Sequence, residues 1–298
     1  MCGIVGLFLK DKALEPQLGA MLSTMLGTMC ERGPDSAGFA VYGAPSSGKT
    51  KITLQSAAPD KDFAGVVAAV RQSCGVDASL TVKSTHAVLT VPSDKADVIA
   101  AMLRADHPSL RIMGIGETIE IYKEVGYPTT VARQFDLSTM SGTHAIGHTR
   151  MATESAVTTL GAHPFSTGPD QCLVHNGSLS NHNSLRRQLK RDGMTFETEN
   201  DSEVAAAYLT WRMTQGLNLG EALHKSLDDL DGFFNFVVGT KNGFGVIRDP
   251  IACKPAVMAE TGDYVAFGSE YRALVNLPGI DKARVWEPEP ATVYFWER

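Results

Sequence analysis

Met1-Cys2-Gly3-Ile4-Val5-Gly6-Leu7-Phe8 opens the chain, and the reading of Cys2 within it decides the fold. Removing Met1 would leave one residue carrying both a thiol and a free α-amine. The thiolate is a strong nucleophile. An α-amine has an ordinary pKa of about 7.7–8.0, so it serves as a base near neutral pH. Nucleophile and base on one terminal residue is a variant of the covalent catalysis otherwise built from a Cys–His or Ser–His pair. The plainer reading is a buried Cys opening an edge strand, because free Cys packs as a small hydrophobe. Cys2 alone divides these readings evenly, and the rest of the sequence has to separate them.

The 298 residues allow one large domain or two ordinary ones. Apolar residues make up 43% of the chain, enough for a sizeable core. The formal net charge of -6 offers no basic footprint for nucleic acid or an anionic membrane. No apolar run approaches the roughly 20 residues of a membrane span. The apolar start at residues 3–9 is too short for a signal peptide and has no basic stretch before it. Cys2, Cys30, Cys74, Cys172 and Cys253 are scattered and form no Cys-x-x-Cys pair. That pattern predicts reduced cytoplasmic thiols, with neither a disulfide framework nor a metal site.

Residues 3–8 read as a buried strand, and residues 14–30 carry Leu14, Leu18, Met21, Leu22, Met25 and Leu26 at helical spacing. Strands are predicted at 37–42 and 51–55, one or two more within 79–91, and others at 110–113, 118–122, 144–150 and 172–175. Helices are predicted at 62–74, 96–103, 183–190 and 204–215. Segments 233–240 and 243–248 form a hairpin through Asn242-Gly243, whose chemistry suits a tight turn. A second hairpin joins 256–259 to 264–268, and 292–296 closes the chain as a strand. Hairpins at both ends with helices grouped between them predict an α+β layout with largely antiparallel sheets.

Four further segments carry chemistry: Arg32-Gly33-Pro34-Asp35-Ser36-Ala37-Gly38, Gly147-His148-Thr149-Arg150-Met151-Ala152-Thr153, His175-Asn176-Gly177 and Thr198-Glu199-Asn200-Asp201-Ser202-Glu203-Val204. With the N-terminal segment they resemble the class II glutamine amidotransferases, which are N-terminal-nucleophile hydrolases. All five segments occur in that family's order. The resemblance implies a four-layer αββα sandwich, with one amidotransferase domain over residues 1–298 and an inserted α/β subdomain at about 58–114.

The resemblance also implies roles. Cys2 supplies nucleophile and base, and Asn176 with the backbone N–H of Gly177 forms the oxyanion hole. Asn-Gly is also plain turn chemistry. Arg150 clamps the substrate α-carboxylate through its planar fork, and Thr153 adds a hydroxyl. Asp201 accepts the α-ammonium, although Asn200 or Asp201 could equally be a helix N-cap, and Asn200 with Glu203 resembles a capping box. Arg32 supports the segment around Cys2. His144, His148, His163 and His182 read as structural or surface residues, and Arg248-Asp249-Pro250 and Gly268-Ser269-Glu270 as structural. The chain departs from several members in having Met151 where an aromatic follows the clamp arginine, and in Glu154-Ser155.

The chain most resembles stand-alone amidotransferase subunits of glutamate-synthase-like complexes, such as the amidotransferase component of N-methylglutamate synthase. That implies hydrolysis of L-glutamine to glutamate and ammonia through a Cys2 thioester. The ammonia would pass to a glutamate-synthase-like flavoprotein subunit, and one more synthase-like subunit is expected as an additional partner. No cofactor is expected on this chain; FMN and an iron–sulfur cluster are expected on the partners. Two other readings stay open. One is a part in N-methylglutamate synthesis from glutamate and methylamine with little free glutaminase activity. The other is a non-catalytic structural or amino-acid-binding role.

Overall fold

The computed structural model describes residues 2–152 and 156–298. Its strands are β1 Gly3–Leu9, β2 Ser36–Tyr42, β3 Lys49–Gln55, β4 Ser79–Lys83, β5 His86–Pro92, β6 Arg111–Gly116, β7 Ile119–Val125, β8 His144–Arg150, β9 Phe165–Gly168, β10 Gln171–Leu179, β11 Gly232–Gly239, β12 Gly243–Arg248, β13 Val257–Glu260, β14 Tyr264–Gly268, β15 Arg284–Trp286 and β16 Thr292–Glu297. Its α-helices are α1 Leu18–Thr28, α2 Pro59–Asp62, α3 Val66–Cys74, α4 Ala96–Asp106, α5 Pro128–Gln134, α6 His182–Arg191, α7 Asp201–Thr214 and α8 Leu219–Asp229.

Every residue of β1 is buried. Alternation sends Ile4 and Phe8 to one face and Val5, Leu7 and Leu9 to the other, and each set joins a different core. A strand apolar on both faces needs cover on both, and the sheet order supplies it. β1 lies inside a seven-stranded antiparallel sheet, in the order β15-β13-β14-β1-β8-β2-β7. On its outer side Val5 and Phe39 pack with Leu22 and Leu26 of α1 and Val131 of α5. On its inner side Ile4, Phe8 and Ile146 meet Val174, Val237 and Phe244 of a five-stranded sheet ordered β16-β12-β11-β10-β9. The far face of that second sheet, with Leu173, Phe236 and Val238, is covered by Leu189 of α6, Tyr208 of α7 and Leu223 of α8. The layers therefore run αββα, as the family resemblance implied.

A third sheet, in the order β4-β5-β3-β6, packs Ile52, Leu54 and Leu89 against Val66 and Val70 of α3 and Ile99 and Leu103 of α4. This unit takes in β3, so it starts at residue 49, one strand ahead of residue 58. Asp170 ties it to the sandwich. The backbone N–H groups of Glu117, Thr118 and Ile119 donate to its carboxylate at 2.8, 2.8 and 3.0 Å, and the Thr118 hydroxyl donates at 2.7 Å. Gly116 is required beside it, because a Cβ there would stand 2.3 Å from Asp170 Oδ1.

Local chemistry accounts for the differences from the sequence reading. The helix expected over 14–30 is split into a 3-10 turn at Lys12–Gln17 and α1, because Pro16 lacks an N–H and Asp11 caps the first piece through Ala13 N–H at 2.9 Å. Helices α5 and α8 were not anticipated. Pro128 stands at the start of α5, and a complete Asn218–Glu221 capping box opens α8. Among the described residues, no helix is long and apolar enough to cross a membrane.

Replacing Asp170 by Ala strips four donors of their acceptor. The expected cost is about 3 kcal/mol or more of folding stability, with a smaller loss for Asp170→Asn, which keeps one carbonyl acceptor. Urea denaturation of the two variants measures this, and equal losses would contradict the anchoring role.

Candidate active site

The inner face of β1 that carries Ile4 ends at the chain start beside Asn176 of β10. There the Cys2 carbonyl accepts two side-chain donors, Arg32 Nε at 3.1 Å and Asn176 Nδ2 at 3.2 Å. The Cys2 Sγ lies 4.0 Å from the carbonyl oxygen of Met151. Arg32 is held in turn by Glu270, which also pairs with Arg272 at 2.6 Å. Ser269 brackets Ile4, two residues beyond Cys2: its N–H donates to the Ile4 carbonyl and its hydroxyl accepts the Ile4 N–H, each at 2.9 Å. The Gly268-Ser269-Glu270 segment is structural, as expected, and its specific task is to anchor the N-terminal strand.

Asn176-Gly177 is not a turn. β10 runs on through Leu179, and Gly177 sits within it at φ 152°, paired with Phe234. A Cβ at Gly177 would stand 1.9 Å from the Phe233 carbonyl oxygen, so only glycine fits. Arg150 is the last, buried residue of β8, and its Nη1 donates to the Ala156 carbonyl at 3.3 Å. The Arg32–Ser36 turn lies against this strand end. Asp35 N–H donates to the Arg150 carbonyl at 3.1 Å, and Asp35 Oδ2 accepts the Ala152 N–H at 2.8 Å. A Cβ at Gly33 would stand 2.4 Å from the Thr149 carbonyl carbon. Thr153 and the Glu154-Ser155 departure lie outside the described residues.

Asp201 is the first residue of α7, and the N-cap is Asn200, whose side chain accepts the Ser202 N–H at 2.9 Å. The expected capping box with Glu203 does not form. Glu203 reaches past Asn200 and accepts the N–H groups of Glu197 and Thr198, each at 2.8 Å. Released from capping, Asp201 takes the Leu179 N–H on Oδ2 at 2.9 Å, two residues beyond Gly177. Cys2, Arg32 and Asn176 are thus in direct contact. Arg150 adjoins the residue facing the thiol, and Asp201 is bonded to β10 through the Leu179 N–H.

Beneath these groups lies a buried cluster. His148 and His163 stack with ring centroids 4.0 Å apart. His163 Nε2 and His175 Nδ1 meet the Ser202 hydroxyl at 2.8 and 2.9 Å, and His148 Nε2 donates to the His175 carbonyl at 3.1 Å. Burial pushes His148 down to about 3 and lowers His163 and His175 as well. Lys123, buried and pushed down to about 8, donates to the carbonyls of Ala162 at 2.9 Å and Pro164 at 3.2 Å and so holds the segment carrying His163. His148 and His163 are buried, and they join a network with Ser202 that spacing within one segment could not reveal. A cavity of about 430 Å³ opens between α4, β6, β9 and residues 193–203, with Lys123 and Glu203 in its lining.

A family profile described as "Glutamine amidotransferase domain" matches residues 148–276. The chain is 67% identical over 297 residues to "Glutamine amidotransferase-like protein GlxB" of Rhizobium meliloti (strain 1021), covering 100% of this chain and 98% of that one. The chain belongs to the glutamine amidotransferase family. Among solved structures, the amidotransferase resembles the glutamine phosphoribosylpyrophosphate amidotransferase of B. subtilis with a TM-score of 0.63. At 20% identity, over 99% of this chain and 47% of that one, this likeness concerns the fold.

The buried histidines set an acid limit. His86, His144 and His148 are each lowered from 6.5 to about 3, with burial as the largest cause. Between those values the unfolded chain binds more protons than the folded one, so stability falls as pH falls below about 6.5. Each such group costs up to about 1.4 kcal/mol per pH unit. Urea midpoints measured from pH 7.5 to pH 4.5 should drop steadily; a flat profile would contradict the neutral, buried state.

Proposed function

We propose that this amidotransferase hydrolyses L-glutamine to glutamate and ammonia through a thioester at Cys2. The observation that carries the reading is the 3.2 Å hydrogen bond from Asn176 Nδ2 to the Cys2 carbonyl, which brings a carboxamide donor beside the thiol-bearing residue. After removal of Met1, the α-amine takes the thiol proton, and Sγ attacks the side-chain carbonyl of glutamine. The negative charge that develops on oxygen is met by Asn176 Nδ2 and the Gly177 N–H, donors fixed before reaction. The C–N bond breaks as the α-amine returns its proton to the departing nitrogen, releasing ammonia. Water then attacks the thioester, giving glutamate and the free thiol. Arg150 and Thr153 hold the α-carboxylate and Asp201 the α-ammonium, while Arg32 fixes the Cys2 backbone.

The finer reading is one component of a cytoplasmic glutamate-synthase-like complex, of which N-methylglutamate synthase is one kind. The chain would pass ammonia to a flavoprotein partner, and one more synthase-like chain is a second candidate partner. FMN and the iron–sulfur cluster belong to those partners in this proposal, and none is assigned to this chain. The 67% identity to an amidotransferase-like protein supports the glutamine-hydrolysing half of this reading. Participation in N-methylglutamate synthesis with little free glutaminase activity, and a non-catalytic amino-acid-binding role, are the competing outcomes.

Cys2→Ala should abolish ammonia release from glutamine while leaving the thermal midpoint near that of the parent. A glutamine-mimicking alkylator should label Cys2 ahead of Cys30, Cys74, Cys172 and Cys253. Intact mass of the same sample reports whether Met1 is gone. Retained Met1 with no turnover favours the non-catalytic reading, and full turnover by Cys2→Ala rejects the nucleophile. Purification of the untagged chain from its native host tests the partner: recovery as a free monomer with full turnover and no flavoprotein rejects the complex.

A further inference from the structure

Ser202 makes three polar contacts with one hydroxyl. His163 Nε2 lies at 2.8 Å, His175 Nδ1 at 2.9 Å and Asp201 Oδ1 at 3.4 Å. Each histidine in the cluster has one ring nitrogen that is buried and without a partner among the described residues: His148 Nδ1, His163 Nδ1 and His175 Nε2. These facts fix the protons. A carbonyl only accepts, so His148 carries its proton on Nε2, the atom facing the His175 carbonyl. If the Ser202 hydroxyl gave its proton to His163 or His175, that neutral ring would carry its own proton on the partnerless nitrogen. A buried N–H without an acceptor is the costlier kind of orphan. One arrangement avoids this. Both rings donate to Ser202 Oγ, filling its two lone pairs, and the hydroxyl proton goes to Asp201. All three partnerless nitrogens are then bare lone pairs.

We infer that Ser202 is a positioning residue for Asp201: its hydroxyl, locked by N–H donors from His163 and His175, gives its single proton to Oδ1 and orients the carboxylate for the substrate α-ammonium. This rests on the proposed glutaminase reading and deepens it. With Leu179 N–H on Oδ2 at 2.9 Å and the Ser202 hydroxyl on Oδ1 at 3.4 Å, each carboxylate oxygen faces one donor, which biases the orientation of the group. The same hydroxyl joins the segments that carry the clamps. His175 adjoins Asn176 on β10, His148 reaches from β8, two residues before Arg150, to the His175 carbonyl, and Ser202 lies next to Asp201 on α7. Recognition of the amino-acid end is thereby registered against the oxyanion strand without any of these three histidines touching substrate. Burial keeps the three rings neutral, as this proton order requires.

Ser202→Ala should raise the KM for glutamine about tenfold, the size carried by one hydrogen bond to a charged group, with kcat changed less than about threefold. Ser202→Thr, which keeps the hydroxyl, should restore most of the loss. Asp201→Asn should raise KM at least as much as Ser202→Ala, and the double variant should add little further. Nitrogen-15 spectra of the unaltered protein supply a readout that needs no turnover: His148 and His163 should be protonated on Nε2 and His175 on Nδ1. An unchanged KM in Ser202→Ala, additive losses in the double variant, or a His175 protonated on Nε2 would each overturn the inference. If instead Cys2→Ala keeps full turnover, the glutaminase reading itself has failed, an outcome distinct from a normal Cys2 dependence with an unresponsive Ser202.

Discussion

The site depends on the burial of β1 on both of its faces. A strand clamped between helix α1 and the second sheet cannot slip by one residue, because slippage would exchange the Ile4–Phe8 face with the Val5–Leu7–Leu9 face. Register therefore fixes which way the chain start points. It places Cys2 at the end of the inter-sheet layer, where a chain terminus would otherwise fray. The backbone there is held from separate places in the sequence: Arg32 and Asn176 on Cys2, and Ser269 twice on Ile4. Arg32 is itself fixed by Glu270, so the first strand, the turn after α1 and the segment after β14 form one connected support.

The second constraint is close approach. Asn176 can reach Cys2 because β10 keeps its ladder with β11 through a backbone conformation that only glycine adopts comfortably at 177. Gly33 allows the Arg32–Ser36 turn to rest on the end of β8 in the same way. Each glycine gives up side-chain packing, and in return two backbones come within contact of each other near Cys2.

Much of this was legible in the sequence. Periodicity located β1, β2 and the β11–β12 hairpin, because apolar alternation and Asn242-Gly243 are local signals. The five short segments pointed to residues that the fold does gather, where the gathered residues can be described. Other features depend on partners far away in the chain. Nothing near Arg32 announces Glu270, and nothing near Ser202 announces His163. Asn200 and Glu203 carried a correct cap signal at the wrong partner, since Glu203 found three stronger donors at 197–198. The strand read at 172–175 stopped short of Asn176-Gly177 because the ladder partner that keeps those residues extended, β11, lies more than fifty residues on.

In the proposed reaction the Asn176 side chain serves both support and chemistry. A carbonyl oxygen only accepts, so the carboxamide must present its nitrogen, not its oxygen, toward Cys2. That bond settles the orientation which an isolated Asn leaves open. An amide nitrogen carries two protons, and the Cys2 carbonyl takes one. In the proposed reaction the other meets the developing oxyanion, so the donor does not have to leave its structural partner or turn over as charge appears. A donor already oriented by the residue that attacks needs little reorganisation at the moment of attack, and this is the condition under which hydrogen bonds favour a transition state over the ground state.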